Sequence, residues 1–364
     1  MRIKILIPSL ILLLCIGLTD ANAQRNKYKR RKAKNRAMSN YTSRGGGRFR
    51  QFNFVSFNVN ALNYYGDLAP VNRAASTDVS FTRPGFGAEI GARFNPYMAV
   101  RAGFNYGRLK GDDITSDYND ENAYGRYLRN LSFRNDIKEF HIGMQFSLLP
   151  IWGGPNVRPD FNVYAMIGAA VFHHEPKGKV PEYDHTLGGD VESNYTQYPV
   201  AQAGEWVRLR KLGTEGQLID SLDVKGYSPF QFSVPLAIGA TMRLPGPFNL
   251  SVELGYRYLF TDYLDDVSGS FVRYDLFDDD LARIMSDRSA EPTAVWQEVP
   301  RDGFPGAVGQ QMPDGTTYYS ARGYGGGLAG DKGRGNPDDN DMMFMTTVKL
   351  TMILGQVRRS AKFR

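Results

Sequence analysis

Eight segments of this chain alternate apolar and polar residues with a period of two. Each reaches the roughly 9–11 residues that a tilted strand needs to cross a bilayer. They cover about 52–65, 84–94, 98–109, 136–148, 161–173, 229–243, 248–261 and 342–354. The second sets Phe86, Ala88, Ile90, Ala92 and Phe94 against Gly87, Glu89, Gly91 and Arg93. The fourth sets Phe140, Ile142, Met144, Phe146 and Leu148 against Glu139, His141, Gly143, Gln145 and Ser147. The fifth is apolar on both faces, so its phase is ambiguous.

The links between these segments alternate in length. Short ones fall at 95–97, 149–160 and 245–247, and long ones at about 66–83, 110–135, 174–228 and 262–341. A soluble β-sandwich gives the alternation but no reason for loops to be long on one side only. The pattern predicts an all-β fold: an up-and-down transmembrane antiparallel β-barrel of eight strands, with long extracellular loops and short periplasmic turns. Closure leaves no unpaired backbone edge, which lipid requires. An even strand count puts both termini on the short-turn side, which is periplasmic in such barrels.

The net charge of +6 first suggests a nucleic-acid binder, but the charges are unevenly placed. Residues 25–50 carry 11 Lys/Arg and no acid, and residues 358–364 carry Arg358, Arg359, Lys362 and Arg364. The body, 51–357, has 27 bases against 37 acids, so it is acidic between two basic ends. Arg2 and Lys4, the apolar run Ile5 to Leu18 and the small-x-small site Ala21-Asn22-Ala23 read as an export signal over 1–23. The expected layout is then a signal peptide at 1–23, a basic disordered periplasmic arm at 24–50, an outer-membrane barrel at 51–355 and a basic tail at 356–364. An exported chain excludes nucleic acid as the natural partner of Lys27, Lys29, Arg30, Arg31 and Lys32. These remain candidates for binding a periplasmic partner. The one Cys, Cys15, lies in the signal, which excludes a disulfide scaffold.

An eight-strand barrel has an interior that side chains fill. The inward faces supply Glu89, Arg93, Arg101, Glu139, His141, Glu253, Arg257 and Lys349. Mixed charges in a closed lumen are expected to pair with one another, which argues for a plugged scaffold rather than a proton path or pore.

Four stretches at strand–loop junctions carry a resemblance. They are Tyr64-Tyr65-Gly66-Asp67-Leu68; Phe172-His173-His174-Glu175-Pro176-Lys177; Leu212-Gly213-Thr214-Glu215-Gly216-Gln217, which comes after Trp206-Val207-Arg208-Leu209; and Thr261-Asp262-Tyr263-Leu264-Asp265-Asp266-Val267-Ser268-Gly269. With these, the chain over about 52–275 plus the last strand resembles the PorG-like outer-membrane barrels of the type IX secretion and gliding machinery of Bacteroidota. The resemblance implies a non-enzymatic part of a secretion machine that contacts a periplasmic lipoprotein ring. Residues 276–340 and 25–50 match nothing in that family, and the chain runs on past its last strand, where many barrels stop. A general structural or adhesion barrel of OmpX/OmpA type is the alternative, and a lipid-modifying barrel enzyme comes third.

No catalytic, cofactor or metal site is expected. His173 and His174 are adjacent, so an extended chain points them to opposite faces and they cannot easily share one ion. Beyond Ser147, no Ser lies at a strand position matching His141 or His173, as a Ser–His hydrolase would need. Asp262, Asp265 and Asp266 read as rim structure, with their carboxylates accepting loop amide protons. Asp278-Asp279-Asp280 and Asp338-Asp339 read as solvated acidic loops, and Gly323-Tyr324-Gly325-Gly326-Gly327 as a flexible one. The partners expected are outer-membrane lipids or lipopolysaccharide and a periplasmic lipoprotein.

Overall fold

The computed structural model describes residues 49, 51–68, 82–116, 119, 123–151, 158–187, 198–295, 297–301, 304–327 and 333–354. The signal segment, the basic arm apart from Phe49, and the basic tail lie outside the described residues.

Eight long strands form one closed antiparallel sheet. They are β1 (Phe52–Tyr65), β2 (Arg83–Arg93), β3 (Met98–Asp112), β4 (Ser132–Ser147), β5 (Phe161–His173), β8 (Phe230–Arg243), β9 (Phe248–Leu259) and β14 (Met342–Ile353). Two short strands, β6 (Lys177–Lys179) and β7 (Trp206–Arg208), extend the sheet beyond the β4 edge on the long-loop side. Around the barrel each long strand pairs with the next one in the chain, and β14 returns to β1 with Val59 opposite Val348. All eight strands fall where the period of two places them. The main shift is in the β3–β4 link, where the two strands pair out to Asp112 opposite Ser132. Continued cross-strand pairing carries that hairpin several residues past the length a bilayer demands.

The alternation sorts side chains by environment. Phe57, Phe232 and Ile238 are each 66% exposed, while Ser56, Asn58, Asn60, Glu89, Glu139 and Glu253 are buried inside. An apolar surface of this extent would be an aggregation site in water. Facing lipid, it is the expected outer band. Aromatic residues ring both ends of that band: Phe94, Tyr97 and Phe161 by the short turns, and Phe86, Phe230, Tyr258 and Phe260 by the long loops. The ambiguous fifth segment resolves with Asn162, Tyr164, Met166 and Phe172 inward and Phe161 and Ile167 outward.

The short turns are tight. Asn95 and Met98 exchange backbone hydrogen bonds of 3.3 and 3.2 Å around Pro96-Tyr97. In Pro245-Gly246-Pro247, Gly246 sits at φ 72°, a left-handed position where a glycine avoids the strain of a Cβ.

The long loops fold into a cap. The β3–β4 link contains α1 (Tyr124–Arg129), and α2 (Leu209–Leu212) lies between β7 and β8. The last link contains α3 (Asp280–Ser286) and the hairpins β10–β11 (Thr293–Ala294, Val299–Pro300) and β12–β13 (Val308–Gln311, Thr317–Ser320). The largest apolar core lies where lumen and cap meet, around Leu62, Phe133, Phe172, Leu259, Leu264 and Met343. The glycine run 323–327 is packed rather than flexible. Gly326 N donates to Asp287 Oδ2 at 2.8 Å, and a Cβ at Gly325 would collide with that same oxygen. Glycine is what admits this close approach.

A charge on the lipid face at mid-barrel tests the orientation of the wall. Ile238→Arg is expected to destabilise the folded barrel by about 2–4 kcal/mol, measured by reversible urea unfolding in lipid vesicles. The folded state is read as heat-modifiable migration on unboiled gels.

Candidate functional site: the luminal charge lattice and the cap lock

Two polar constellations stand out, one inside the barrel and one at its long-loop end.

Inside, inward positions on β2, β3, β4, β9 and β14 converge because the sheet curls every alternate side chain toward one axis. Arg101 Nη1 and Nη2 donate to Glu253 at 2.7 and 2.9 Å. Lys349 Nζ donates to both oxygens of Glu89, at 2.9 and 2.7 Å, and lies 3.4 Å from Glu253. Arg257 Nε donates to Glu139 at 2.8 Å. His141 bridges the two halves, with Nδ1 3.4 Å from Glu139 and Nε2 3.5 Å from Glu89. Tyr164 OH donates to Glu253 at 2.9 Å and Asn105 Nδ2 to Glu139 at 2.9 Å. Three carboxylates thus meet three cations in a buried lattice.

Arg93, expected in this network, is not in it. It donates to Pro96 O at 3.1 Å and Ser147 Oγ at 2.8 Å instead. Four residues along an extended strand is about 13 Å, too far for Arg93 to reach the level of Glu89's partners.

At the long-loop end, segments far apart in sequence meet. Thr214 Oγ1 donates to Asp266, as does Tyr227 OH. Glu215 accepts from Ser268 N at 2.9 Å and from Gly269 N at 3.1 Å. Arg334 Nη1 donates to Glu215 at 2.9 Å and to the Asp266 carbonyl, and its Nε donates to Ser286 O at 2.9 Å. Tyr263 stacks on Tyr227 with ring centroids 4.6 Å apart. Asp265 Oδ1 accepts from Val267 N at 2.9 Å, the amide-accepting role its position suggests. Gly213 and Gly216, at φ 64° and 80°, turn the chain so that Thr214 and Glu215 point into this junction. Gln217 Oε1 accepts from Glu215 N at 3.0 Å.

The first motif joins the same junction. Tyr64 OH lies 2.5 Å from Asp265 Oδ2 and 3.0 Å from Asp341 Oδ1, and Asp341 accepts from Leu264 N at 2.8 Å. Asp67 Oδ2 accepts from Asn336 N at 2.9 Å. A tyrosine hydroxyl has one proton to give. Two carboxyls around it are therefore satisfied together only if one of them is itself protonated. Burial raises both Asp265 and Asp341 well above the usual carboxylate range, and neighbouring carboxylates add to it. Asp262 is pushed up to about 8, chiefly by burial. Asp266 rises only to about 6, because Arg334 opposes the effect of burial.

The remaining motif residues are more peripheral. Pro176 O accepts from Leu209 N at 3.0 Å, and Lys177 pairs with Arg208 across β6–β7. Tyr65 ends β1 opposite Met342. A Cβ at Gly66 would strike Asp341 and Tyr64, so the junction closes directly over it. His173 and His174 do point apart: His173 packs against Phe230, while His174 is buried with Nε2 3.1 Å from Ser228 O. Burial takes His174 down to about 4, so it is neutral at physiological pH. His185 Nε2 lies 2.7 Å from Asp287 O. No cluster of three or more metal-ligating side chains occurs among the described residues.

Sequence reasoning missed the arginines that tie the cap together. Arg129 holds Asp113 through two hydrogen bonds, 2.7 and 2.9 Å, and also reaches the Asp67 and Arg334 carbonyls. Arg288 holds Glu291 at 2.7 and 3.0 Å. Arg301 donates to four carbonyls, those of Tyr127, Leu128, Ser289 and Glu291. The glycines flanking Arg334 were the one available signal of close packing there.

A closed eight-strand barrel with a lipid-facing apolar wall and a filled polar lumen defines a class: an integral outer-membrane barrel. The chain belongs to the outer membrane protein beta-barrel domain family, which matches residues 45–275. No curated relative matches the chain. Among solved structures it is similar to Ail, the attachment invasion locus protein of Yersinia pestis, at 6% identity and a TM-score of 0.32, covering 84% of this chain and 100% of that one. It is similar to OprG of Pseudomonas aeruginosa at 6% identity and a TM-score of 0.31, covering 85% and 99%. For Neisserial surface protein A the values are 10% identity and a TM-score of 0.27, covering 82% and 96%. TM-scores this low add nothing to the argument from the strands themselves.

Glu253→Ala would leave Arg101 and Lys349 under-compensated in the lumen. A loss of about 3–5 kcal/mol is expected, read by equilibrium urea unfolding of the refolded barrel. The cap carries a pH dependence of defined sign. Asp262 and Asp266 are raised on folding, so their contribution is full below the ordinary Asp value of about 4. It is lost as pH rises through about 6 for Asp266 and about 8 for Asp262. Cap amides should therefore exchange hydrogen faster, by an opening-corrected rate, at pH 8.5 than at pH 5. Asp262→Asn should flatten the upper part of that profile.

Proposed function

We propose that this protein is a non-enzymatic barrel component of a type IX protein secretion and gliding machinery. In this reading it is anchored in outer-membrane lipid and lipopolysaccharide, with both termini in the periplasm, where it contacts a lipoprotein of the secretion ring. The observation that carries the reading is the convergence of Tyr64 and Asp67, Thr214 to Gln217 and Asp262 to Gly269 into one cap lock. These are the stretches on which the family resemblance rests, and here they have a joint structural task. The ion-paired lumen supports a mount rather than a pore, since passage would require breaking buried pairs at several kcal/mol each.

The basic arm gives the contact its chemistry. Lys27, Lys29, Arg30, Arg31 and Lys32 suit a polyvalent, salt-sensitive attachment to an acidic periplasmic surface. A general structural or adhesion barrel is the second reading, favoured by the large ordered cap at the long-loop end. Deletion of the gene separates the two. Loss of cargo proteins from the secretome is expected, whereas envelope defects with secretion intact would favour the second reading. Removal of residues 25–50 should reduce recovery of ring lipoproteins in pull-downs at low salt. Undiminished recovery at both low and high salt would remove the arm from the contact.

A further inference from the structure

Among the described residues, the short-turn end of the lumen has an uncompensated positive charge. A cavity of about 70 Å³ opens there between the ends of β2, β4, β8 and β14 and the starts of β1, β3, β5 and β9. One water needs about 10–15 Å³ of such space, so the cavity exceeds a single solvent molecule. Four cations line it: Arg93, Arg101, Arg158 and Lys349. The deeper two, Arg101 and Lys349, are balanced by Glu89 and Glu253. The outer two are not.

Arg93 and Arg158 are 5% and 7% exposed, which makes both nine-tenths buried. Among the described residues Arg93 donates only to the Pro96 carbonyl and the Ser147 hydroxyl. Arg158 donates to the carbonyls of Gly246 and Phe248 and to Asn249 Oδ1, at 2.7, 3.2 and 2.7 Å. All of these acceptors are neutral. Among the described residues neither guanidinium has a carboxylate within ion-pairing distance. The nearby Asp160 instead lies 4.0 Å from Arg243 at the exposed rim. Arg158 Nε and Arg101 Nε are buried with no hydrogen-bond acceptor among the described residues.

Hydrogen bonds to carbonyls position a guanidinium but do not neutralise it, and an unpaired buried charge costs several kcal/mol. Two of them around one cavity call for an anion. Planar forks with hydroxyl donors beside them match an oxyanion with several acceptor oxygens. Ser56, Ser147, Ser251 and Thr351 supply those hydroxyls around the same cavity. We propose that Arg93 and Arg158 form a binding pocket for a phosphate-type oxyanion entering from the short-turn end of the barrel. The oxyanion is either a free phosphate or the phosphate of an anionic lipid headgroup.

The test uses the full chain refolded in neutral detergent, with heat-modifiable migration confirming the barrel in every variant. Inorganic phosphate is titrated by calorimetry at constant ionic strength against chloride. In a second arm, native mass spectrometry tracks phosphatidylglycerol retained from doped micelles. The expected result is saturable binding of one probe by the unaltered protein. Affinity should fall at least tenfold in Arg93→Gln and in Arg158→Gln, less in Arg158→Lys, and stay unchanged in Arg243→Gln at the rim. Phosphate binding assigns the pocket to the free anion, and retention of phosphatidylglycerol without it assigns the pocket to the headgroup. Binding of neither probe by the unaltered protein would overturn the proposal. So would equal weakening by Arg243→Gln, which would mark a diffuse basic surface.

Discussion

Backbone hydrogen bonding in lipid is the constraint on which this structure depends. Hydrocarbon offers no partner for a free N–H or C=O, so every strand in the wall must be paired on both sides. The pairing of β14 with β1 meets that demand, joining residues almost three hundred positions apart through twelve opposed pairs. Closure then dictates most of the remaining architecture. It sends alternate side chains to a lipid face and a luminal face. It also fixes an interior too narrow to hold much beyond side chains.

A narrow interior makes polar residues costly unless they satisfy one another. The lumen meets this with matched numbers, Glu89, Glu139 and Glu253 against Arg101, Arg257 and Lys349, with Asn105, His141 and Tyr164 supplying the remaining contacts. Several pairs run between strands that are not neighbours. Arg101 on β3 holds Glu253 on β9, and Arg257 on β9 holds Glu139 on β4. They are cross-braces through the barrel, additional to the ladder around its wall. The lattice stops short of the short-turn end, where among the described residues Arg93 and Arg158 have only neutral acceptors.

The strands were legible because a wall between lipid and a polar lumen imposes the cleanest possible period of two. Where that contrast weakened, so did legibility: β5 has Met166 and Phe172 inward as well as Ile167 outward, and only packing against β4 and β8 decides its phase. Alternation names the inward charges, but it does not name their partners. Strand spacing along the chain does not reveal which levels coincide after shear, which is why alternation alone groups Arg93 with residues it does not reach. The cap was least legible. Its ties join Asp113 to Arg129, Glu215 to Arg334 and Tyr64 to Asp341, across loops that obey no period. The motif residues were visible as unusual strings, but the arginine that links them, Arg334, was marked only by its flanking glycines.

The two ends of the barrel are held by different physics, and this bears on how it could act. The long-loop end rests on an apolar core around Phe133, Leu259 and Leu264, beneath buried carboxyls tied by several arginines, among them Arg129 and Arg334. Among the described residues the short-turn end has a small apolar group, Phe52, Ile151 and Ile353, beside a cavity with surplus positive charge. Between them stands the braced lattice. A signal passing from one end to the other would have to rearrange that lattice, exposing charges whose partners lie across the lumen. The cost of several broken buried pairs exceeds what one ligand at either mouth could supply through differential binding. The faces are therefore expected to work independently. The barrel would hold a cap on one side of the membrane and a cationic face on the other in a constant relation, transmitting position rather than conformational change.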